Sequence, residues 1–318
     1  MRGPPGSPDD ASDARDRPQG TNLTDSPAVS VVIPAFSRAD TIERAIRSVT
    51  TQTFHDYEII VVDDGSTDRT VEIVKALHVK ELKLIEHGAN KGAAAARNTG
   101  VAIARGRWIA FLDSDDFWAP DKLAKQIAAL ETAGPAVRAC VTGFRMINCA
   151  VPRVVYLEFT PIEFRKEILF GCSVSPGSTL LVERAVFQSV GSFDENMARL
   201  EDWDWLLRFT RSFDLVAIRE PLATIDGRLL SKSDTPDFDR NRLAALEVIR
   251  HRHMRRVSSL ADRQRLRSSL FIERAAIASR RGRKLRAMTL VAIALIMYPF
   301  RNAMFFTMLG RNLRRLFR

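Results

Sequence analysis

The sequence predicts an α/β protein, a doubly wound sheet flanked by helices and followed by a basic helical extension. Three observations carry this. Short apolar runs rich in β-branched residues alternate with stretches of helical periodicity from residue 28 onward. Clusters of Asp, Ser and Gly fall directly after those runs, where open α/β sheets bind ligands. The charge is also divided: residues 226–318 hold 22 Lys and Arg against 7 Asp and Glu, leaving a small acidic excess in the rest.

The composition fits these elements into an ordinary globular chain. With 318 residues, 46% hydrophobic and 27% charged, it is neither fibrous nor globally disordered. Its three cysteines, Cys140, Cys149 and Cys172, have no CxxC spacing. That argues against a disulfide framework or cysteine zinc site and for a reducing compartment. Met1 to Pro27 is rich in Pro, Gly, Asp, Ser and Arg and is expected to be a disordered leader; it has no apolar core of the secretory type.

Val29 to Ile33 reads as a buried strand ended by Pro34. Asp40 is expected to cap the next helix, with Glu43 completing a capping box and Ile42, Ala45, Ile46 and Val49 forming the apolar stripe. Glu58 to Val62 is a second buried strand, stopping at Asp63-Asp64-Gly65-Ser66, and Thr67 to Leu77 is helical. Leu82 to Ile85 is a short strand, Asn98 to Arg105 part of a helix, and Trp108 to Leu112 a strand that stops at Asp113-Ser114-Asp115-Asp116. Further on, Trp203 to Arg211 reads as a helix whose two tryptophans are core candidates.

Carboxylates gathered at strand ends repel one another unless a cation lies among them. Hard oxygen ligands suit Mg²⁺ or Mn²⁺, which bridge to phosphate oxygens. The chain lacks both a GxxxxGK[ST] loop and a GxGxxG turn, which argues against a P-loop ATPase and a dinucleotide enzyme. Asn90-Lys91-Gly92 and Arg97-Asn98 offer cations to a nucleoside diphosphate instead.

Seven ordered segments now point to a family. They are Val29-Ser30-Val31-Val32-Ile33-Pro34-Ala35-Phe36; Val61 to Asp68; Asn90-Lys91-Gly92 with Ala96-Arg97-Asn98; Asp113-Ser114-Asp115-Asp116; and, in the later half, Ser178 to Val182, Val190 to Glu195 and Glu201-Asp202-Trp203-Asp204-Trp205. Together they resemble family 2 glycosyltransferases of the GT-A fold, over residues 28 to 225. The resemblance implies a mixed, mostly parallel sheet. It also implies an inverting, metal-dependent transfer from a nucleotide diphosphate sugar of the UDP type to a saccharide hydroxyl.

Carried over by position, the resemblance has Pro34, Ala35 and Phe36 lining the base and ribose. Phe36 stands where the family often has Tyr, so it can stack on a base without offering a hydroxyl. Asp64 accepts from the base edge, Lys91 and Arg97 face the donor, Asp113 meets ribose or donor hydroxyls, and Asp115 holds the divalent cation. Asp116 is either a supporting partner of that site or the cap of a helix starting near Pro120. Asp202 takes the acceptor proton. The loop Cys172 to Ser178 is read as a cover for the acceptor.

Beyond residue 225 only physics guides the reading. Asp239 to Arg256 and Ser258 to Arg280 are two amphipathic helices studded with arginine. The apolar run Met288 to Phe300 is about 20 Å long as a helix, short of the roughly 30 Å hydrocarbon core. Prolonging it to Leu309 would bury Arg301. It is therefore expected to lie in a membrane interface with its arginines on anionic headgroups, the alternative being a soluble core helix. The divisions are thus 1–27, 28–225 and 226–318. The expected partners are a nucleotide sugar, a saccharide or lipid-linked saccharide acceptor and an anionic membrane surface, at the inner face of the cytoplasmic membrane, in exopolysaccharide or cell-surface polysaccharide synthesis. A polyprenyl-phosphate acceptor is the alternative within the same chemistry. Nucleic-acid binding, suggested by the basic tail, predicts cations interleaved with aromatics rather than aliphatics and leaves the aspartates unexplained.

Overall fold

A computed structural model describes residues 26–149, 151–228 and 236–298. The expected leader, apart from Ser26 and Pro27, and the sequence from Pro299 onward lie outside the described residues.

The first half builds a parallel sheet from β1 (Val29–Ala35), β2 (Tyr57–Asp63), β3 (Leu82–Glu86) and β4 (Trp108–Phe111). Its connections are α1 (Ile42–Thr50), α2 (Thr70–Ala76) and α3 (Ala93–Ile103). β1 pairs in parallel with both β2 and β4, and β2 with β3. Val29, Val31, Val32 and Ile33 are inaccessible, as expected of a strand covered on both faces. Pro34 does not end β1, which continues to Ala35. The partner β4 reaches only to Val32, so the missing proline N–H is not needed on that side.

The second half turns the sheet mixed. After β5 (Phe117–Trp118) and α4 (Lys122–Glu131) come β6 (Val137–Ile147), β7 (Arg153–Val155), α5 (Pro161–Glu167), α6 (Pro176–Thr179), β8 (Leu181–Glu183), α7 (Val186–Val190), α8 (Glu201–Phe209) and β9 (Asp214–Asp226). The order is β3-β2-β1-β4-β8-β6-β9-β5, with β7 beside β6. β8 is antiparallel to β4, so the sheet changes direction beside the end of β4. The mixed α/β architecture agrees with the expected fold class.

Two further local expectations are corrected. Asp40 does not cap α1: Thr41 precedes the helix without a side-chain cap, because the N–H groups of Thr41 and Ile42 already donate to the Arg38 carbonyl at 2.9 and 3.0 Å. The predicted stripe itself is fully buried. Asp116 does not cap the helix near Pro120 either, since its carboxylate is engaged elsewhere, as described below.

Three helices complete the described chain, α9 (Pro236–His253), α10 (Leu260–Arg280) and α11 (Lys284–Met297). Leu246 and Ile249 of α9 and Leu266 and Leu270 of α10 share a buried cluster with Trp203, Trp205 and Phe209 of α8. α11 lies on α10 through Ala287, Val291 and Ala294, and α10 holds the short turn Ile168–Phe170 by Ser269, whose hydroxyl donates to the Phe170 carbonyl at 2.7 Å.

Candidate active site

The carboxyl ends of β1, β2 and β4 open on one edge, and the loops there are stitched to one another. The Arg38 N–H donates to the Thr70 hydroxyl at 2.7 Å and the Ala39 N–H to Asp68 at 3.0 Å, tying the loop after β1 to the loop after β2. Asp63 accepts from the N–H and hydroxyl of Ser66, whose oxygen in turn accepts from the Ser37 N–H at 2.8 Å. Pro34 and Ala35 are buried within β1, and the Ala35 carbonyl accepts from the Asp64 N–H at 2.7 Å. Phe36 is the large apolar side chain left open here, 40% exposed.

Asp64 is buried and saturated. Its oxygens accept from the Lys91 N–H at 3.0 and 3.1 Å, from the Gly92 N–H at 2.7 Å and from His87 Nδ1 at 2.8 Å. His87 Nε2 sits 3.0 Å from the Thr99 hydroxyl. The carboxylate therefore fixes the turn that starts α3, and Lys91 contributes its backbone while its side chain stays exposed.

α3 lies close against β1 because Gly100 faces Val32; a Cβ there would come within 2.3 Å of Val32 Cγ1. Arg97, on the first turns of α3, is then directed into the interior. It donates to Asp113 at 2.7 Å and to Glu201 at 2.9 Å, with its guanidinium 5.9 Å from the Phe193 ring centre. Burial alone disfavours its charge, but Asp113 and Glu201 outweigh that and hold it firmly protonated. Its Nε is buried without a partner. One cation thus joins the end of β4 to the start of α8.

The tetrad after β4 is divided in use. Asp116 is buried and accepts from the Ser178 hydroxyl and from the Asp226 N–H at 2.8 Å, so it braces α6 and the end of β9. Burial, then Asp113 and Asp115, raise its pKa. Asp113, about a third exposed, lies against the turn of α6, where a Cβ on Gly177 would meet its Oδ2 at 2.4 Å. For Asp115, burial and then the Asp113 charge push the pKa up to about 6, against the pull of Arg38. Among the described residues no side chain donates a hydrogen bond to its carboxylate, while Arg44 donates to its backbone carbonyl.

On the far side, Asp202 accepts from its own neighbour, the Trp203 N–H, at 2.7 Å. Burial, then Glu201, push its pKa up to about 6, although Arg97 pulls the other way. Burial first, and then the Asp202 carboxylate, keep the nearby Cys172 thiol protonated. Trp203 and Trp205 are core residues, their indole N–H groups donating to the carbonyls of Ile168 at 2.6 Å and Gly191 at 2.9 Å.

The loops that face this edge carry backbone strain. Ser37 after Phe36, Ser175 before α6 and Leu200 before α8 all have left-handed φ, 51°, 48° and 61°. Such conformations in residues with a side chain cost free energy and gather where geometry is imposed by function.

The structure thus joins Asp113, Arg97 and Glu201 by direct contacts, with Asp202 next to Glu201 at the start of α8, and sets Asp115 beside Asp113. It does not place carboxylates from separate strand ends around one ion: among the described residues no three His, Cys, Asp or Glu side chains converge closely enough to hold a metal. The reason is visible in the partners, since Asp64 is spent on backbone N–H groups and Asp116 on Ser178 and Asp226. A single open carboxylate still fits a hard divalent cation whose other ligands are water and diphosphate oxygens.

Sequence reasoning gave no role to His87 or Asp226 and read Ser178 only as part of a loop over the acceptor, not as the partner of Asp116. Asp226 lies one residue past the expected boundary at 225 and holds Arg44, Asn148 and Arg228. Its position at a strand end was the available signal.

Three comparisons bear on the chain. The profile of Glycosyl transferase family 2 matches residues 30–189. An Escherichia coli relative, UDP-Glc:alpha-D-GlcNAc-diphosphoundecaprenol beta-1,3-glucosyltransferase WfaP, is 44% identical over 104 residues, 33% of this chain and 41% of its own. The chain therefore aligns with about two fifths of that relative. Among solved structures, S. aureus TarS 1-349 in complex with UDP-GlcNAc superposes with a TM-score of 0.63 at 21% identity, over 84% of this chain and 79% of that one. Mannosyltransferase PcManGT from Pyrobaculum calidifontis, in complex with GDP-Man and Mn²⁺, gives 0.56 at 19% identity over 92% and 86%. These two likenesses speak for the fold.

Proposed function

The chain belongs to glycosyl transferase family 2, and from that premise we propose that it moves a sugar from a nucleoside diphosphate donor, UDP-linked, to a hydroxyl of a lipid-linked saccharide with inversion at the anomeric carbon. The observation that carries this is the contact chain Asp113–Arg97–Glu201 with Asp202 beside it. It sets a partly buried carboxylate of raised pKa across from the acid-rich end of β4.

In this reading Phe36 stacks on the base, while Asp64, its oxygens taken by Lys91, Gly92 and His87, shapes the α3 turn beside the base instead of accepting from its edge. Lys91 and Arg97 offset donor charge, and Asp113 meets ribose or sugar hydroxyls. Asp115 would hold Mn²⁺ or Mg²⁺, which when bound stabilises the departing diphosphate. The acceptor oxygen attacks the anomeric carbon, its proton passes to Asp202, and the bond from that carbon to the diphosphate oxygen breaks, releasing the nucleoside diphosphate. A base with a pKa near the working pH suits this transfer. WfaP, by its name, acts on a diphosphoundecaprenol-linked sugar; such an acceptor supports a place at the inner face of the cytoplasmic membrane, on an anionic surface, in exopolysaccharide or cell-surface polysaccharide synthesis. Residues 28–225 would carry the reaction and 226–318 the membrane contact.

The test offers labelled nucleotide sugars to the full chain with and without Mn²⁺, comparing wild type, Asp115→Ala and Asp202→Asn. Asp115→Ala is expected to lose metal-dependent donor binding. Asp202→Asn is expected to bind donor and fail in transfer; undiminished transfer would remove Asp202 from the mechanism.

A further inference from the structure

α11 breaks two rules of helix construction at once. Its first turn has no acidic residue and no side-chain cap, and Arg283, Lys284 and Arg286 crowd the end where the backbone dipole is already positive. Its outer face is apolar: Leu285 is 82% exposed, Met288 52% and Ile296 80%, while Ala287, Val291 and Ala294 face α10. A helix apolar on both sides is unsatisfied in water. No helix of the described residues is long and apolar enough to cross a membrane.

Between α9, α10 and the start of α11 is a cleft of about 140 Å³, floored by Leu243 and Ile277 and rimmed by Arg274, Arg281, Arg283 and Arg286. Arg274 is paired with Glu247, and Arg281 with Asp239 at 3.0 Å. Among the described residues Arg283 and Arg286 have no carboxylate partner. Two cations are therefore left over at a cleft whose floor is greasy.

We propose that this cleft binds the phosphate of an anionic phospholipid headgroup while Leu285, Met288 and Ile296 enter the bilayer interface. Charge decides among the occupants. A second copy of the chain would bring the same arginines face to face. The sequence beyond residue 298 would also bring like charge, because every charged residue after Glu273 is Lys or Arg. An anionic lipid surface supplies both what the rim lacks and what the outer face needs. The inference names a partner for the membrane contact proposed above and rests on that reading for its biological use.

The test is flotation of the full chain with vesicles of phosphatidylcholine alone and of equal parts phosphatidylcholine and phosphatidylglycerol. Wild type is expected to float with the mixed vesicles and hardly with the neutral ones. Arg283→Gln with Arg286→Gln should weaken that binding roughly tenfold or more, as removal of two surface cations implies. Leu285→Gln with Ile296→Gln should weaken it too. These residues are exposed and without ion pairs, and thermal melting confirms that the variants fold. Equal flotation with both vesicle types, unchanged binding by the arginine variant, or wild-type self-association abolished by the Leu285 and Ile296 changes without vesicle binding would each overturn the proposal. Transfer by wild type to a water-soluble acceptor, with no vesicles present, reports separately on the glycosyltransferase reading.

Discussion

Asp64, buried at the end of β2, and Asp202, partly buried in the first turn of α8, are the same residue type and are kept in opposite ways. Asp64 accepts four hydrogen bonds from Lys91, Gly92 and His87. Asp202 accepts from its neighbour's N–H and is held against Glu201 with a raised pKa. The first carboxylate is fixed by what it receives, and the second is left short of donors and near its titration point. The difference teaches that saturation marks an acid that shapes a loop, and that want of donors marks one available for chemistry.

The sharpest way to break this contrast is kinetic. Asp202→Asn should lower transfer by about 10² to 10⁴-fold, the span of general-base contributions, with donor affinity kept in a binding titration. The same substitution should leave the melting temperature unchanged or raised, since it removes a charge that burial disfavours. Asp64→Asn should do the reverse to the fold. An amide cannot accept from all the donors gathered there, so unfolding in denaturant is expected to show a loss of roughly 1 to 3 kcal/mol.

A pH profile sharpens the comparison further. A base works deprotonated, so wild-type kcat/KM should rise with pH through about 6, the value to which burial and then Glu201 push Asp202. A flat profile from pH 5 to 8 would disconnect the titration of this group from the rate. The smallest effect expected is that of Gly177→Ala. Its methyl would meet Asp113 Oδ2 at 2.4 Å, and displacing that carboxylate should raise KM for the donor by a factor of about 10, since a shift of a fraction of an ångström at a positioned group is costly.

Much of this edge was legible in the sequence, because its signals are local. The apolar runs of β1 and β2 and the aspartates after β2 and β4 are each written within a few residues. What could not be read is which aspartate finds donors. The partners of Asp64 come from more than twenty residues away and those of Asp116 from Ser178 and Asp226, contacts that only the folded topology creates. The capping reading of Asp40 failed for a similar reason: the Arg38 carbonyl had already taken the helix's first N–H groups. The division of Arg97 between Asp113 and Glu201 likewise depends on how closely Gly100 lets α3 approach β1.

The carboxylate of Asp204, two residues from Asp202, is fully buried and held by one residue of its own helix and two of α9. Arg208 reaches it at 3.0 Å, Arg252 of α9 at 2.8 Å and His253 of α9 at 2.7 Å, and Arg252 also holds Asp194. Burial works against the charge of Asp204, but these partners outweigh it, and burial keeps His253 neutral. The helix that presents Asp202 is therefore keyed from behind by the extension. A chimera that grafts residues 28–225 onto another relative's tail would cut through this lock and strand a charge in the interior, so a workable exchange of specificity must carry α9 along with the sheet.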